Sequence, residues 1–334
     1  MLFRSKTNTS ETERSVLIIF IFKFEVNAEN SLLTNAKSFI TLPRLYTFRT
    51  MKNPLLIQLE NDYLYHLGLD SSMNLKDLFG DVKFVCMMGS ATRIAEFAEK
   101  VASTLNIHIP AHGLQPIGKI ERCSLYKVGP VICVSHGMGA PSILIFLHEL
   151  SKLMDYAGCE QVQFIRIGTS GGLGIEPGTV IVSQAVLNGK LEPYLEQIGL
   201  GKTVKYPTGI HLPLAEAILA SQGDLRAEFG ITMGTDDFYE GQGRMDGALL
   251  PPYTEEEKMN FLKQAHALGV RNIEMESTAF AAFCTRANIP GAIVCATFIN
   301  RLNGDQVTTT AEEQHRFSGY ADELVLRFLK NALH

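Results

Sequence analysis

The stretch Gln163–Val182, "QFIRIGTSGGLGIEPGTVIV", places an arginine inside an apolar strand and runs that strand into a cluster of glycines. Glycine lets backbone N–H groups approach an anion closely, so a glycine-rich turn after a strand can cradle phosphate. Two familiar nucleotide loops do not fit. The Rossmann fingerprint needs G-x-G-x-x-G opening a helix, whereas Gly172-Leu173-Gly174 leads to Pro177-Gly178 and a second strand, "TVIV". The P-loop, which needs a G-K-[ST] triplet, is also read as absent. Dinucleotide and nucleoside triphosphate binding are both disfavoured.

Arg166 carries more of the meaning than the glycines. Ile165 and Ile167 point to the opposite face of the strand, so Arg166 shares its face with Phe164 and Gly168. An arginine on an edge strand facing water would give the same pattern. Inside a doubly covered sheet, however, a buried guanidinium needs an anion, and its fork suits a bidentate oxyanion. Thr169 and Ser170 add hydroxyl donors at the strand's end. "MGSATRIAEF" repeats the logic, with Gly89 in a strand-to-helix turn and Arg93 in the first helical turn, where orphan N–H groups and the dipole favour an anion.

Outward from this stretch, apolar runs of strand length alternate with helical patterns. "VKFVCMMG" precedes "SATRIAEFAEKVASTL", where Ile94, Phe97, Ala98 and Val101 recur at helical spacing. "GPVICVSHGMG" precedes "APSILIFLHELSKLMDYAG", and "IPGAIVCATFI" follows the helix "MESTAFAAFCTRA". The alternation predicts an α/β fold: a single domain with a mixed, mostly parallel central sheet covered by helices on both faces. Ligands in such folds sit at the carboxyl ends of the strands, where Gly89, Gly137, Gly139 and Gly168–Gly174 fall, so three glycine-bearing turns are expected on one rim.

The 334 residues are 46% hydrophobic and 19% charged, enough for a sizeable core. A net charge of -5 offers no basic face for a nucleic acid. The six cysteines form no CxxC pair and mostly sit in apolar runs, which predicts buried reduced thiols in a cytoplasmic protein. Histidine spacing gives no metal site, since Pro110 stands between His108 and His112. Near the N-terminus, the apolar run Val16 to Phe22 is seven residues, against roughly 20 needed to span a bilayer. Residues 1–50 read as a poorly ordered extension, with the domain running over 51–334.

Taken together, "DYLYHLGL", "DVKFVCMMGSATR", "YKVGPVICVSHGMGAPS", "IRIGTSGGLGIEPGTVIV", "DFYEGQGRMDGAL", "RNIEMES" and "NRLNGDQ" resemble the uridine phosphorylases of the nucleoside phosphorylase superfamily, eukaryotic type. The resemblance implies phosphorolysis of uridine to uracil and ribose 1-phosphate, with inorganic phosphate as co-substrate and no cofactor or metal. It implies that Gly89, Arg93, Arg166 and Thr169 hold phosphate, with Arg122 reaching in from a neighbouring subunit. Ribose would lie against Met275 and Glu276, with His66 again from the partner. Uracil would be read by Gln242 and Arg244 and packed on Phe238. The implied assembly is a homodimer, and the implied catalytic groups are Arg166, Arg244 and Glu276.

The chemistry agrees with those residue types. Phosphate is already a nucleophile, so it needs positioning more than activation. Bond cleavage leaves negative charge on the pyrimidine, which Arg244 can stabilise, and a glutamine amide matches both the N3–H and a carbonyl. Blander readings stay open: "EGQGR" is also a good surface turn, Glu276 an acid favoured at a helix N-terminus, and His66 a packed structural residue. "YTEEEKMNFL" reads as a capping box, Thr254 with Glu257, starting a surface helix. Phe298 and Ile299 stand where relatives often carry two leucines, which extends the expected substrates to deoxyuridine and thymidine. A purine nucleoside phosphorylase would bring an aspartate from the segment after "ATFIN", where the first acid is Asp305. The remaining alternative is a pyrimidine-binding relative without catalysis.

Overall fold

A computed structural model describes residues 53–118 and 123–334. The extension expected over residues 1–50 lies outside the described residues, and so does Arg122.

The described chain opens with a small hairpin, β1 (Tyr63–Leu64) and β2 (Leu69–Asp70), and the short helix α1 (Leu75–Phe79). Strand β3 (Phe84–Met88) then feeds α2 (Ala91–Thr104), and β4 (Leu125–Val128) with β5 (Val131–Ser135) feeds α3 (Ala140–Tyr156). The strand of the opening stretch is β6 (Gln163–Gly172), followed by β7 (Val180–Asn188), the hairpin β8 (Tyr194–Gly199) and β9 (Lys202–Pro207), and α4 (Leu212–Ala220). Last come β10 (Ala227–Gly234), α5 (Glu255–Ala267), β11 (Val270–Glu274), α6 (Ser277–Ala287), β12 (Gly291–Asn300) and α7 (Ala311–Leu333).

Eight strands form one mixed sheet in the order β11, β10, β7, β12, β6, β3, β5, β4. Pairs around β3 are parallel, while β4 with β5 and β12 with β7 are antiparallel. The end of β6 also pairs with β11, Gly171 opposite Ile273 and Gly172 opposite Asn272. Strands β6, β12, β7, β10 and β11 therefore close into a ring.

This corrects the reading of the glycines. They were expected to form a turn after the strand, but Gly168, Gly171 and Gly172 lie inside it. The strand bends towards β11 there, and a Cβ on Gly172 would come within 2.7 Å of the Ile299 carbonyl oxygen. Only glycine permits that approach.

Helices cover both faces because residues in each strand alternate. Phe164 packs with Phe79, Leu147 and Phe280 from α1, α3 and α6, whereas Ile165 and Ile167 pack with Phe97, Ile218 and Leu324 from α2, α4 and α7. Each such fully buried side chain contributes about 1.5–3 kcal/mol relative to exposure. Helix α2 starts at Ser90, whose hydroxyl accepts the Arg93 N–H, and buries the stripe Ile94, Phe97, Ala98 and Val101. The expected capping box at Thr254 and Glu257 starts α5.

The chain does hold one Gly-Lys-Thr triplet, Gly201-Lys202-Thr203, with Glu196 where a P-loop would need its first glycine. Leu200 and Gly201, both at positive φ, make the two-residue turn between β8 and β9. The triplet is a hairpin tip.

Candidate active site

The carboxyl ends of β3, β5, β6, β11 and β12 border a cleft of about 900 Å³. Nine of the eleven residues singled out from the sequence line it: Gly89, Arg93, Arg166, Thr169, Phe238, Gln242, Arg244, Met275 and Glu276. His66 and Arg122 are not among its lining residues, with Arg122 outside the described segments.

Arg166 sits on a central strand and is 3% exposed, which removes the edge-strand reading. Its counter-ions, however, belong to the protein. Nη2 pairs with Glu274 Oε2 at 2.7 Å and with Glu276, and Nη1 lies 3.2 Å from Cys295 Sγ. Burial works against the guanidinium's charge, but Glu274 and Glu276 more than offset it and raise its pKa. Nε has no partner. An incoming anion would therefore share Arg166 with two carboxylates already paired to it. Gly168 makes room for this, since a Cβ there would lie 2.7 Å from Arg166 Nη1.

The two glutamates divide the work. Glu274 accepts the backbone N–H groups of Glu276 (3.0 Å) and Ser277 (2.7 Å), capping α6 from the end of β11. Burial pushes its carboxyl above the ordinary range despite Arg166. Glu276 is the N-cap residue of α6, but its side chain does not cap. It turns to Arg166 and to the Gly139 N–H, 2.5 Å from Oε1. Burial pushes this carboxyl up too, yet Arg166 and the Gly139 N–H together hold it below its usual value. The plain reading of Glu276 as a dipole acid is thereby replaced.

Arg93 reaches the cleft from the first turn of α2 and touches Asp322 of α7 with Nη2 at 3.5 Å, while its Nε has no partner. Thr169 lines the same cleft. Ser170, expected to add a second hydroxyl, instead accepts from Asn272 Nδ2 at 3.0 Å and donates to the Ala296 carbonyl at 3.4 Å.

The turn Phe238–Arg244 brings Phe238, Gln242 and Arg244 to the same cleft. Arg244 lies over the Phe238 ring, 4.5 Å from its centroid. Nε and Nη2 make a bidentate pair with Asp246 at 2.8 and 2.6 Å, so a base would meet an arginine already paired with a carboxylate. Gln242 is 4% exposed, and its side-chain amide has no hydrogen-bond partner among the described residues. Sequence reasoning missed Arg301, which is 1% exposed and lines the cleft with Nε and Nη1 unpartnered. Its position at the end of the buried strand β12, in "INRLNGD", was the signal.

His66 is fixed on its own protomer by Glu149, which accepts from Nδ1 at 2.7 Å and from the N–H groups of His66 and Leu67. His136, which the sequence reading did not use, is 1% exposed with both ring nitrogens unpartnered. Burial, with Arg166 nearby, pulls its pKa down to about 3. The unfolded chain therefore binds a proton near pH 6.5 that the folded chain refuses. This histidine's contribution, on the order of 5 kcal/mol, is expected to be fully present above pH 6.5 and to be lost as pH drops towards 3. Denaturant titrations at stepped pH check it: His136→Gln must flatten the resulting fall in stability.

Among the described residues no group of three His, Cys, Asp or Glu side chains is placed to hold a metal ion. No helix there is long and apolar enough to cross a membrane. All six cysteines are free, and five are buried.

A sequence model of the phosphorylase superfamily matches residues 83–334. The chain is 44% identical over 292 residues to uridine phosphorylase 1 of Mus musculus, covering 86% of this chain and 93% of that one. It is 38% identical over 289 residues to inactive uridine phosphorylase B of Schistosoma mansoni, covering 85% and 97%. The crystal structure of a Schistosoma mansoni uridine phosphorylase with thymidine superposes with a TM-score of 0.80 at 41% identity, over 84% of this chain and 98% of that one.

Proposed function

The chain belongs to the phosphorylase superfamily and, within it, to the uridine phosphorylases; from that premise we propose that it catalyses the reversible phosphorolysis of uridine in nucleoside salvage and catabolism. A phosphate oxygen bonds to C1′ as the bond from C1′ to N1 breaks. The electron pair leaves with the base, which takes up a proton to give uracil, and the sugar leaves as ribose 1-phosphate.

The observation that carries this reading is the set of side chains gathered on one cleft: Arg93, Arg166 and Thr169 for phosphate, Met275 and Glu276 for the sugar, and Phe238, Gln242 and Arg244 for the base. On this reading Arg166 exchanges part of its carboxylate contact for phosphate, and Glu276 turns towards the ribose hydroxyls. Arg301, with two buried nitrogens unpartnered, is a second cation for the leaving base beside Arg244. No cofactor takes part beyond phosphate as co-substrate.

No acid stands in residues 296–300, where a purine-specific relative would carry its aspartate, and the first acid beyond them is Asp305. Here it accepts from Lys258, Arg301 and the Met245 N–H, so it is not free to meet a purine nitrogen. Phe298 and Ile299 line the cleft, and the thymidine held by the Schistosoma mansoni relative supports thymidine and deoxyuridine as further substrates. The active form is a homodimer in which His66 and Arg122 are donated across the interface. The free thiols support a cytoplasmic location.

Purified protein is expected to release uracil from uridine only when phosphate is supplied, and inosine should stay intact. Chromatography of uridine, deoxyuridine, thymidine and inosine incubations, each with and without phosphate, reads this directly. Uridine binding without any uracil would instead place the chain beside the inactive relative.

A further inference from the structure

The segment between β10 and α5, residues 235–254, is long and carries only a single 3-10 turn, Glu240–Gln242. A loop of that kind needs an anchor if it is to hold a base within the tolerance that recognition requires. Three hydrogen bonds tie it to the segment just after β12, one from Gln306 Nε2 to Asp246 Oδ2 at 2.5 Å and two that flank Gln242 and Arg244. In these two, the Gln242 carbonyl accepts from Arg301 Nη2 at 2.9 Å, and the Met245 N–H donates to Asp305 Oδ2 at 2.8 Å.

Both flanking bonds end on one buried cluster. Asp305 Oδ1 accepts from Arg301 Nη2 at 3.0 Å and Oδ2 from Lys258 Nζ at 2.9 Å. Arg301 is 1% exposed, Lys258 5% and Asp305 8%. Burial pushes the Asp305 carboxyl up, but Lys258, the Met245 N–H and Arg301 hold it below its ordinary value. Lys258 comes from α5, so the cluster links that helix to β12 through the loop.

We propose that Lys258 and Asp305 are positioning residues for pyrimidine recognition: through Arg301 and the Met245 N–H they hold the turn Phe238–Arg244 at the cleft. The proposal rests on the uridine phosphorylase reading for its kinetic consequence, but its structural consequence stands without it. Neither side chain touches substrate. Asparagine at 305 would turn an amide N–H₂ either towards Arg301 or towards Lys258 and the Met245 N–H, and leave Lys258 with only the exposed Glu255 as a carboxylate partner, so the anchor is weakened. Methionine at 258 leaves Asp305 its bonds to Met245 and Arg301, so the effect is smaller.

The test compares Asp305→Asn, Lys258→Met and the double variant with the full chain, by steady-state kinetics and limited proteolysis. Asp305→Asn is expected to raise the KM for uridine at least tenfold and leave the KM for phosphate within twofold. Lys258→Met should raise the uridine KM about threefold, and the double variant should be no worse than Asp305→Asn alone. Trypsin should cut after Arg244 in the variants at least threefold faster than in the parent, with uracil slowing it. Equal rises in both KM values, or an unchanged rate of cutting at Arg244, would overturn the proposal. Should Asp305→Asn not fold, cutting at Arg244 in Lys258→Met decides. Proteolysis needs no turnover, so loss of the uridine phosphorylase reading and loss of this one are told apart.

Discussion

Replacing Arg166 by alanine is expected to lower kcat/KM roughly a thousandfold, in line with removing a buried, preorganised donor that meets charge in the transition state. The loss should fall on phosphate and on uridine alike. Arg166 lines the cleft with Arg93, but its Nη2 also holds Glu276, the group assigned to ribose. A phosphate-only defect would follow from an arginine with no other partner, and this arginine has two. Arg166→Lys keeps the charge without the fork and should recover little, because one ammonium cannot serve Glu274, Glu276 and an oxyanion together. Initial rates with each substrate varied in turn check the split: a loss confined to either KM would show that the cluster does not act as a unit.

The same variant should reveal the cluster through pH. Without Arg166, Glu274 and Glu276 are two buried carboxylates with no cation between them, and removing one partner of a buried ion pair typically costs about 3–5 kcal/mol. Burial then raises the folded-state pKa of both above their unfolded values near 4.3. A raised folded pKa contributes stability that is present below the unfolded pKa and lost as pH rises through the folded one. Arg166→Ala should therefore unfold more readily at neutral pH than near pH 4.5, relative to the parent.

Much of this fold could be read from the chain because strand and helix patterns are local. Ile94, Phe97, Ala98 and Val101 announce α2 by spacing alone, and Ile165, Arg166 and Ile167 announce which faces of β6 they occupy. The closure of the sheet was not legible. Whether Gly171 and Gly172 end a strand or bend it depends on Ile273 and Asn272, about a hundred residues later in the chain. The same limit applies to charge. Residue type showed that Arg166 and Arg244 need anions, but that Glu274, Glu276 and Asp246 supply them in the unliganded protein follows from packing. Arg301 escaped notice because nothing in "NRLNGD" separates a buried arginine from a solvated one until β12 is seen to end in the cleft.

Glu276→Gln is expected to cut kcat/KM for uridine about a hundredfold and to erase most of the preference for uridine over 2′-deoxyuridine. A carboxylate offers roughly four acceptor sites. Glu276 uses one on the Gly139 N–H and one on Arg166, which leaves room to accept from sugar hydroxyls without releasing either partner. An amide keeps one oxygen and turns an N–H₂ group either towards the Arg166 guanidinium or towards the Gly139 N–H, so at least one bond becomes a contact between two donors. Hydrogen bonds to charged groups contribute about 1.5–3 kcal/mol each, equal to a factor of ten to a hundred and fifty in rate. A substrate lacking the 2′-hydroxyl has no such bond to lose, so its decline should be about tenfold, arising from the disturbed Arg166 alone. The discriminating quantity is the ratio of kcat/KM for uridine to that for 2′-deoxyuridine, measured in parent and variant at saturating phosphate. An unchanged ratio would mean that Glu276 serves only as the counter-ion of Arg166, and that the ribose is held by other groups of the cleft.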